Sequence, residues 1–105
     1  NVHTIRDCGF QGCYVLSKFY SKQLKCLEKY CFECCYKLCE IDLSQVKCVP
    51  LYCFDSCSAL VVLDLSNAEQ IDDSAFNDCD GLKKIFVSKK LEVPPSLTEF
   101  AVCKH

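Results

Sequence analysis

The stretch CFDSCSALVVLDLS, residues 53–66, decides the fold. Its second half places Leu60, Leu63 and Leu65 at the spacing LxxLxL, and the alternation of Leu63, Asp64 and Leu65 is that of a short strand with one buried face. Its first half places Phe54 and Cys57 three residues apart, on one side of a single helical turn. Working outward, the same letters return every 22 residues: Phe10, Phe32, Phe54 and Phe76; Cys13, Cys35, Cys57 and Cys79; Leu16, Leu38, Leu60 and Leu82. Other columns keep type without identity. Ile5, Leu27, Val49, Ile71 and Val93 are branched and apolar, as are most of Phe19, Ile41, Leu63 and Ile85, while Gly9, Cys31, Cys53 and Ala75 are small.

A period of this length marks stacked units that cannot close a core alone. Each unit reads as a strand, a bend at Ser44, Ser66 or Ser88, a second apolar pair (Val46 with Val49, Ala68 with Ile71), and one helical turn capped by a residue such as Asp72, Asp73 or Ser74. Stacking at the strand spacing of about 4.8 Å turns every column into a buried ladder. The expected architecture is a right-handed α/β solenoid of about four 22-residue coils with a parallel sheet, its strands near residues 16–21, 38–43, 60–65 and 82–87.

The recurring pattern A/C-F-x-x-C-x-x-L-x-x-I-x-L resembles the BspA-like leucine-rich repeats, over residues 5–93. The resemblance implies a protein-interaction module, with adhesion at a cell surface as its expected setting. The first strand departs from the pattern at Ser21, and Thr98 stands where a fifth Phe is due. From Lys89 the phase fails, and Pro94 and Pro95 mark a partial coil or cap over residues 89–105 of what reads as a single domain, 1–105. The chain begins at Asn1 inside a repeat and holds no Met or Trp. It is therefore expected to be a piece of a longer repeat protein, or to self-associate through an N-terminal edge formed by Val2, Ile5, Phe10, Leu16 and Phe19.

Twelve cysteines in 105 residues admit a disulfide framework, a metal site or packed thiols. Cys13, Cys35, Cys57 and Cys79 fall in an inward column, and Cys31 and Cys53 in the small column, so these six read as small hydrophobes in a tight core. Cys31, Cys34, Cys35 and Cys39 include a CxxC, but a structural zinc site joins two separated pairs, and two of these are already core positions. No metal or other cofactor is expected. Cysteines 22 apart lie on adjacent coils, within reach of an S–S bond. Cys26 with Cys48 is the pair outside the main ladder whose linkage stays open, while Cys8, Cys34, Cys39 and Cys103 match no column.

Catalysis finds little support. The two histidines, His3 and His105, stand at the ends, so no Cys–His pair is expected. There is no Gly-rich phosphate loop, HExxH or calcium loop, and Asp72, Asp73, Asp78 and Asp80 read as a solvated capping region. Net charge is −2, with 12 basic residues interspersed among 14 acidic ones, which argues against nucleic acid. No apolar run approaches the roughly 18 residues of a membrane span.

What remains is surface. If Ile41 and Leu43 point inward, the outward positions of the sheet are Lys18 and Tyr20, Glu40 and Asp42, Val62 and Asp64, Lys84 and Phe86. Unlike the core columns these do not repeat, and Tyr20, Val62 and Phe86 are the kind of anchors that protein interfaces use. The expected function is a non-catalytic module binding a protein partner through this face, at a cell surface. The alternative is an accessory repeat segment of an intracellular enzyme or signalling protein.

Overall fold

A computed structural model describes residues 3–103. Two rows of short parallel strands run along a solenoid. One row holds β1 (Thr4–Ile5), β3 (Cys26–Leu27), β5 (Cys48–Val49) and β7 (Gln70–Ile71). The other holds β2 (Lys18–Phe19), β4 (Glu40–Ile41), β6 (Val62–Leu65), β8 (Lys84–Val87) and β9 (Ala101–Cys103). β2, β4, β6 and β8 fall within the four segments expected from the leucine spacing. In the second row, Lys18 faces Glu40 and Val62 faces Lys84, in the 22-residue register of the columns. The first row is an addition: the second apolar pair of each unit forms a strand of its own, with Thr4 facing Cys26 and Cys48 facing Gln70.

The helical turn expected at each Phe-x-x-Cys is a tight turn instead, and the backbone bonds explain why. Within a coil, the Cys13, Cys35, Cys57 and Cys79 amides donate to the carbonyls of Phe10, Phe32, Phe54 and Phe76 at 3.1–3.3 Å. The intervening amides donate along the solenoid: Phe32 N–H to Cys53 O at 2.9 Å, Cys34 N–H to Asp55 O at 2.8 Å. An α-helix would direct every amide to its own chain four residues back. Here half of them are turned to the next coil, which requires a left-handed residue on either side of the Phe. Cys8, Tyr30 and Tyr52 fill the first position with φ of 52–61°, and Gly12, Cys34, Ser56 and Asp78 the second with φ of 57–70°. Glycine alone adopts this region without a steric penalty. Cys8, Tyr30, Cys34 and Ser56 hold it with their amides donating to the next coil, bonds that over-determine the backbone there.

The core is one apolar cluster running the length of the solenoid, with no buried polar or charged residue among those described. Phe32 stacks on Phe10 and on Phe54 at 5.3 Å, and Phe54 on Phe76 at 5.2 Å, with interplanar angles of 2–6°. Phe19 packs edge-on beside the first two rings of this stack, 5.2 Å from Phe10 and 5.7 Å from Phe32.

At the other end the period shortens. β9 pairs with β8 at a separation of 16 residues, Ile85 facing Ala101, because the chain crosses by a 3-10 turn at Pro95–Leu97 rather than a full coil. Leu97 is buried there and Phe100 packs against the cluster. Asp73 fastens the crossing: Ser96 N–H donates to its carboxylate at 3.0 Å, and Ser96 Oγ–H to its carbonyl at 2.7 Å. The Ser96 hydroxyl and amide beside it hold the Asp73 carboxyl below the usual carboxylate range. Asp72 caps its own turn, accepting from Ser74 N–H at 2.9 Å and Ser74 Oγ–H at 2.6 Å.

Candidate interaction face

Strand alternation places the second row's outward residues as expected. Lys18, Glu40, Val62 and Lys84 are all exposed, and Ile85, Val87, Leu63 and Leu65 face the core. Lys18 and Glu40 form an exposed ion pair at 3.8 Å, a contact that contributes little in water. The Lys84 ammonium lies 5.6 Å from the centre of the Phe86 ring, within range of a cation–π attraction. Tyr20 is 64% and Val62 51% exposed, so both offer apolar surface to a partner.

The two aspartates of this face differ from what their charge suggests. Asp42 accepts from Ser44 N–H at 3.0 Å and from Ser44 Oγ–H at 2.6 Å, and Asp64 accepts from Ser66 N–H at 3.0 Å. Each closes the turn that ends its strand, and both are half-buried. Their side chains shape the edge of the face.

Two features escaped the sequence. Val102 extends the row, facing Phe86 from β9 and 39% exposed; the shortened last coil removed it from the 22-residue phase. Tyr14 and Tyr36 stack at 5.4 Å on the outside of the first two coils, 59% and 47% exposed. Their separation of one period was the available signal. Tyr14 also borders a shallow apolar depression with Phe10, Leu16 and Lys18 at the N-terminal end. Phe10, Cys13, Leu16 and Phe19 are only half-buried at this end, whereas Ile5 is 4% exposed and Val2 lies outside the described residues.

The thiols are all free. Cys35, Cys57 and Cys79 each donate Sγ–H to the carbonyl of a Phe one coil back, Phe10, Phe32 and Phe54, at 3.1 Å in every case. The inward cysteine is therefore more than a small hydrophobe, since its thiol adds an inter-coil bond that Ala or Val cannot make. Burial pushes the Cys35 thiol up to about 11, that of Cys79 to about 12, and that of Cys57 higher still. Cys13, expected to be buried with them, is half-exposed. Cys26 and Cys48 are exposed, with Cys48 Sγ turned to Gln70 Oε1 at 3.8 Å.

Of the two histidines, His3 is exposed and His105 lies outside the described residues. Among the described residues no group of three His, Cys, Asp or Glu could hold a metal ion, and no helix is long and apolar enough to cross a membrane.

Parallel strands in 22-residue register, an internal Phe stack and a non-repeating outer face define a leucine-rich-repeat solenoid. The chain belongs to the BspA type leucine rich repeat family, whose repeat region matches residues 1–103 in six copies. The fold is similar to that of a leucine rich cell surface protein from Faecalibacterium prausnitzii A2-165, with a TM-score of 0.85 at 22% identity. That match covers 99% of this chain and 30% of the other, so the chain spans about a third of its length. No curated protein matches the chain at a significant level.

Proposed function

We propose that the chain is a non-catalytic interaction module that binds a protein partner through the outer face of β2, β4, β6 and β8. The observation that carries this reading is the contrast between ladders. Inward positions repeat through every coil, while the outer ones read Lys18, Glu40, Val62, Lys84 and Tyr20, Asp42, Asp64, Phe86. Repetition inside builds the solenoid; variation outside gives each rung its own chemistry. Exposed Tyr20 and Val62, with the half-buried ring of Phe86, supply apolar anchors, and Lys18, Glu40 and Lys84 a charged rim. Cell-surface adhesion is the setting that the repeat family and its solved neighbour support. Residues 1–105 are read as one repeat domain within a longer repeat protein, with 89–105 as a C-terminal partial coil or cap.

The test is adhesion of beads coated with the chain to immobilised extracellular glycoproteins and host-cell monolayers. The paired variant Tyr20→Ala with Val62→Asp should reduce bound beads at least tenfold. Glu69→Ala with Gln70→Ala, on the first row, should leave them unchanged, and equal melting temperatures would exclude unfolding. Equal adhesion by all three proteins would refute the assignment of the face.

The half-buried Phe10, Leu16 and Phe19 favour a second, subordinate contact, with another copy of the chain. Light scattering at micromolar concentration should then show dimers, and Phe19→Glu should return monomers. Ile5, being buried, is not a suitable site for that substitution.

A further inference from the structure

The molecule contains three cysteine columns with members one coil apart, and their sulfurs are aimed differently. In the inward column each thiol of Cys35, Cys57 and Cys79 is directed at a Phe carbonyl. In the outer column Cys48 turns to Gln70. Only in the small column do the sulfurs meet: Cys31 Sγ and Cys53 Sγ lie 3.2 Å apart, both residues 0% exposed. An S–S bond is about 2.05 Å long and joins Cα atoms about 5.5 Å apart, close to the spacing of adjacent coils.

We propose that Cys31 and Cys53 are a disulfide site that staples the second coil to the third when the chain folds under oxidising conditions. The oxidant is a small-molecule disulfide. The Cys31 thiolate attacks one of its sulfurs and releases one small thiol, leaving a mixed disulfide. The Cys53 thiolate then attacks the Cys31 sulfur and expels the second small thiol. Two protein thiols lose two protons and two electrons, and the small disulfide is reduced to two thiols. Because both sulfurs are sealed in the core, the first attack needs an opened coil, so the bond forms during folding. Burial, and the contact with Cys31, also push the Cys53 thiol up, which slows the native state further. The linkage closes a loop of about 22 residues, and a loop of that size shifts the folded-to-unfolded ratio by on the order of a few hundredfold.

The experiment is refolding of the full chain in a glutathione redox buffer, then acid quenching of thiol exchange, alkylation of the remaining thiols in denaturant and non-reducing peptide mapping. The expected result is a linked Cys31–Cys53 peptide pair, 2 Da lighter than the two thiol peptides, and a melting temperature that falls on adding reductant. Cys53→Ala should abolish both effects, and the fold has room for it, since alanine already occupies this column at Ala75. Cys26→Ala with Cys48→Ala should abolish neither. Recovery of Cys31 and Cys53 as alkylated thiols from oxidatively refolded, native protein would overturn the proposal. So would a map in which either is joined to another cysteine. Because the map uses the unmodified chain, a Cys53→Ala protein that failed to fold would leave the test intact.

Discussion

Replacing Phe32 by alanine should be the most damaging single truncation in this solenoid, together with Phe54. The Phe32 ring is 0% exposed, stacked on two neighbours at 5.3 Å and met edge-on by Phe19 at 5.7 Å. Truncating a buried Phe costs about 3–5 kcal/mol, of which ring pairs contribute about 0.5–1.5 kcal/mol each. Three such pairs put Phe32 at the top of that range, and Phe54, with two stacked partners, beside it. Phe76 is 5% exposed with one stacked partner, so about 3 kcal/mol is expected. Phe10 is half-buried, and about 2 kcal/mol follows from its smaller buried area. Single domains are stable by about 5–15 kcal/mol, so the Phe32 variant should still fold, near its limit. Urea denaturation followed by circular dichroism gives the four values. A double-mutant cycle adds a sharper criterion: Phe32 and Phe54, in contact, should couple, while Phe10 and Phe76, three coils apart, should be additive within about 0.5 kcal/mol. If Phe10→Ala cost as much as Phe32→Ala, or if the distant pair coupled strongly, the ladder would not be the unit of stability.

Alkaline pH should unfold the protein. Burial pushes the folded thiols of Cys35 and Cys79 up to about 11 and about 12, from an ordinary value of 9.0, so their stabilisation is complete below that value. It falls as pH rises from about 9 toward 12, by up to ~1.4 kcal/mol per unit for each such thiol, and melting curves from pH 7 to 11 would show it. Under reducing conditions, timed alkylation with mass spectrometry should label the exposed Cys8, Cys26, Cys39, Cys48 and Cys103 first and half-exposed Cys13 next. Cys35 and Cys57 should come last, at a rate set by coil opening, and rapid labelling of either would contradict the buried ladder. Gly81→Ala would set a Cβ 2.6 Å from the Ser58 carbonyl oxygen, and forcing the coils apart there should cost about 1–3 kcal/mol in urea melts.

The 22-residue period is a statement about which residues stack, and on that subject the sequence alone was sufficient. Phe32 above Phe10, Lys18 beside Glu40, the strands of the second row and the sense in which Val62 faces out and Leu63 in were all legible, because parallel register and side-chain alternation follow from periodicity. Periodicity does not say where each amide points. Phe-x-x-Cys at helical spacing fits a helix as well as a turn, and only the tertiary structure chose the turn, because amides such as Phe32 N–H find their acceptors one coil away. For the same reason the strands at Cys26–Leu27 and Cys48–Val49 emerged only when coils were stacked: two residues carry no alternation to read. The end of the chain escaped because its register shifts to 16 residues once the Pro95–Leu97 turn replaces a full coil, which brought Val102 onto the face. Cysteine position was likewise legible, but sulfur direction was not. Whether a thiol meets a Phe carbonyl, as at Cys57, or another thiol, as at Cys31, depends on what the neighbouring coil presents within about 3 Å.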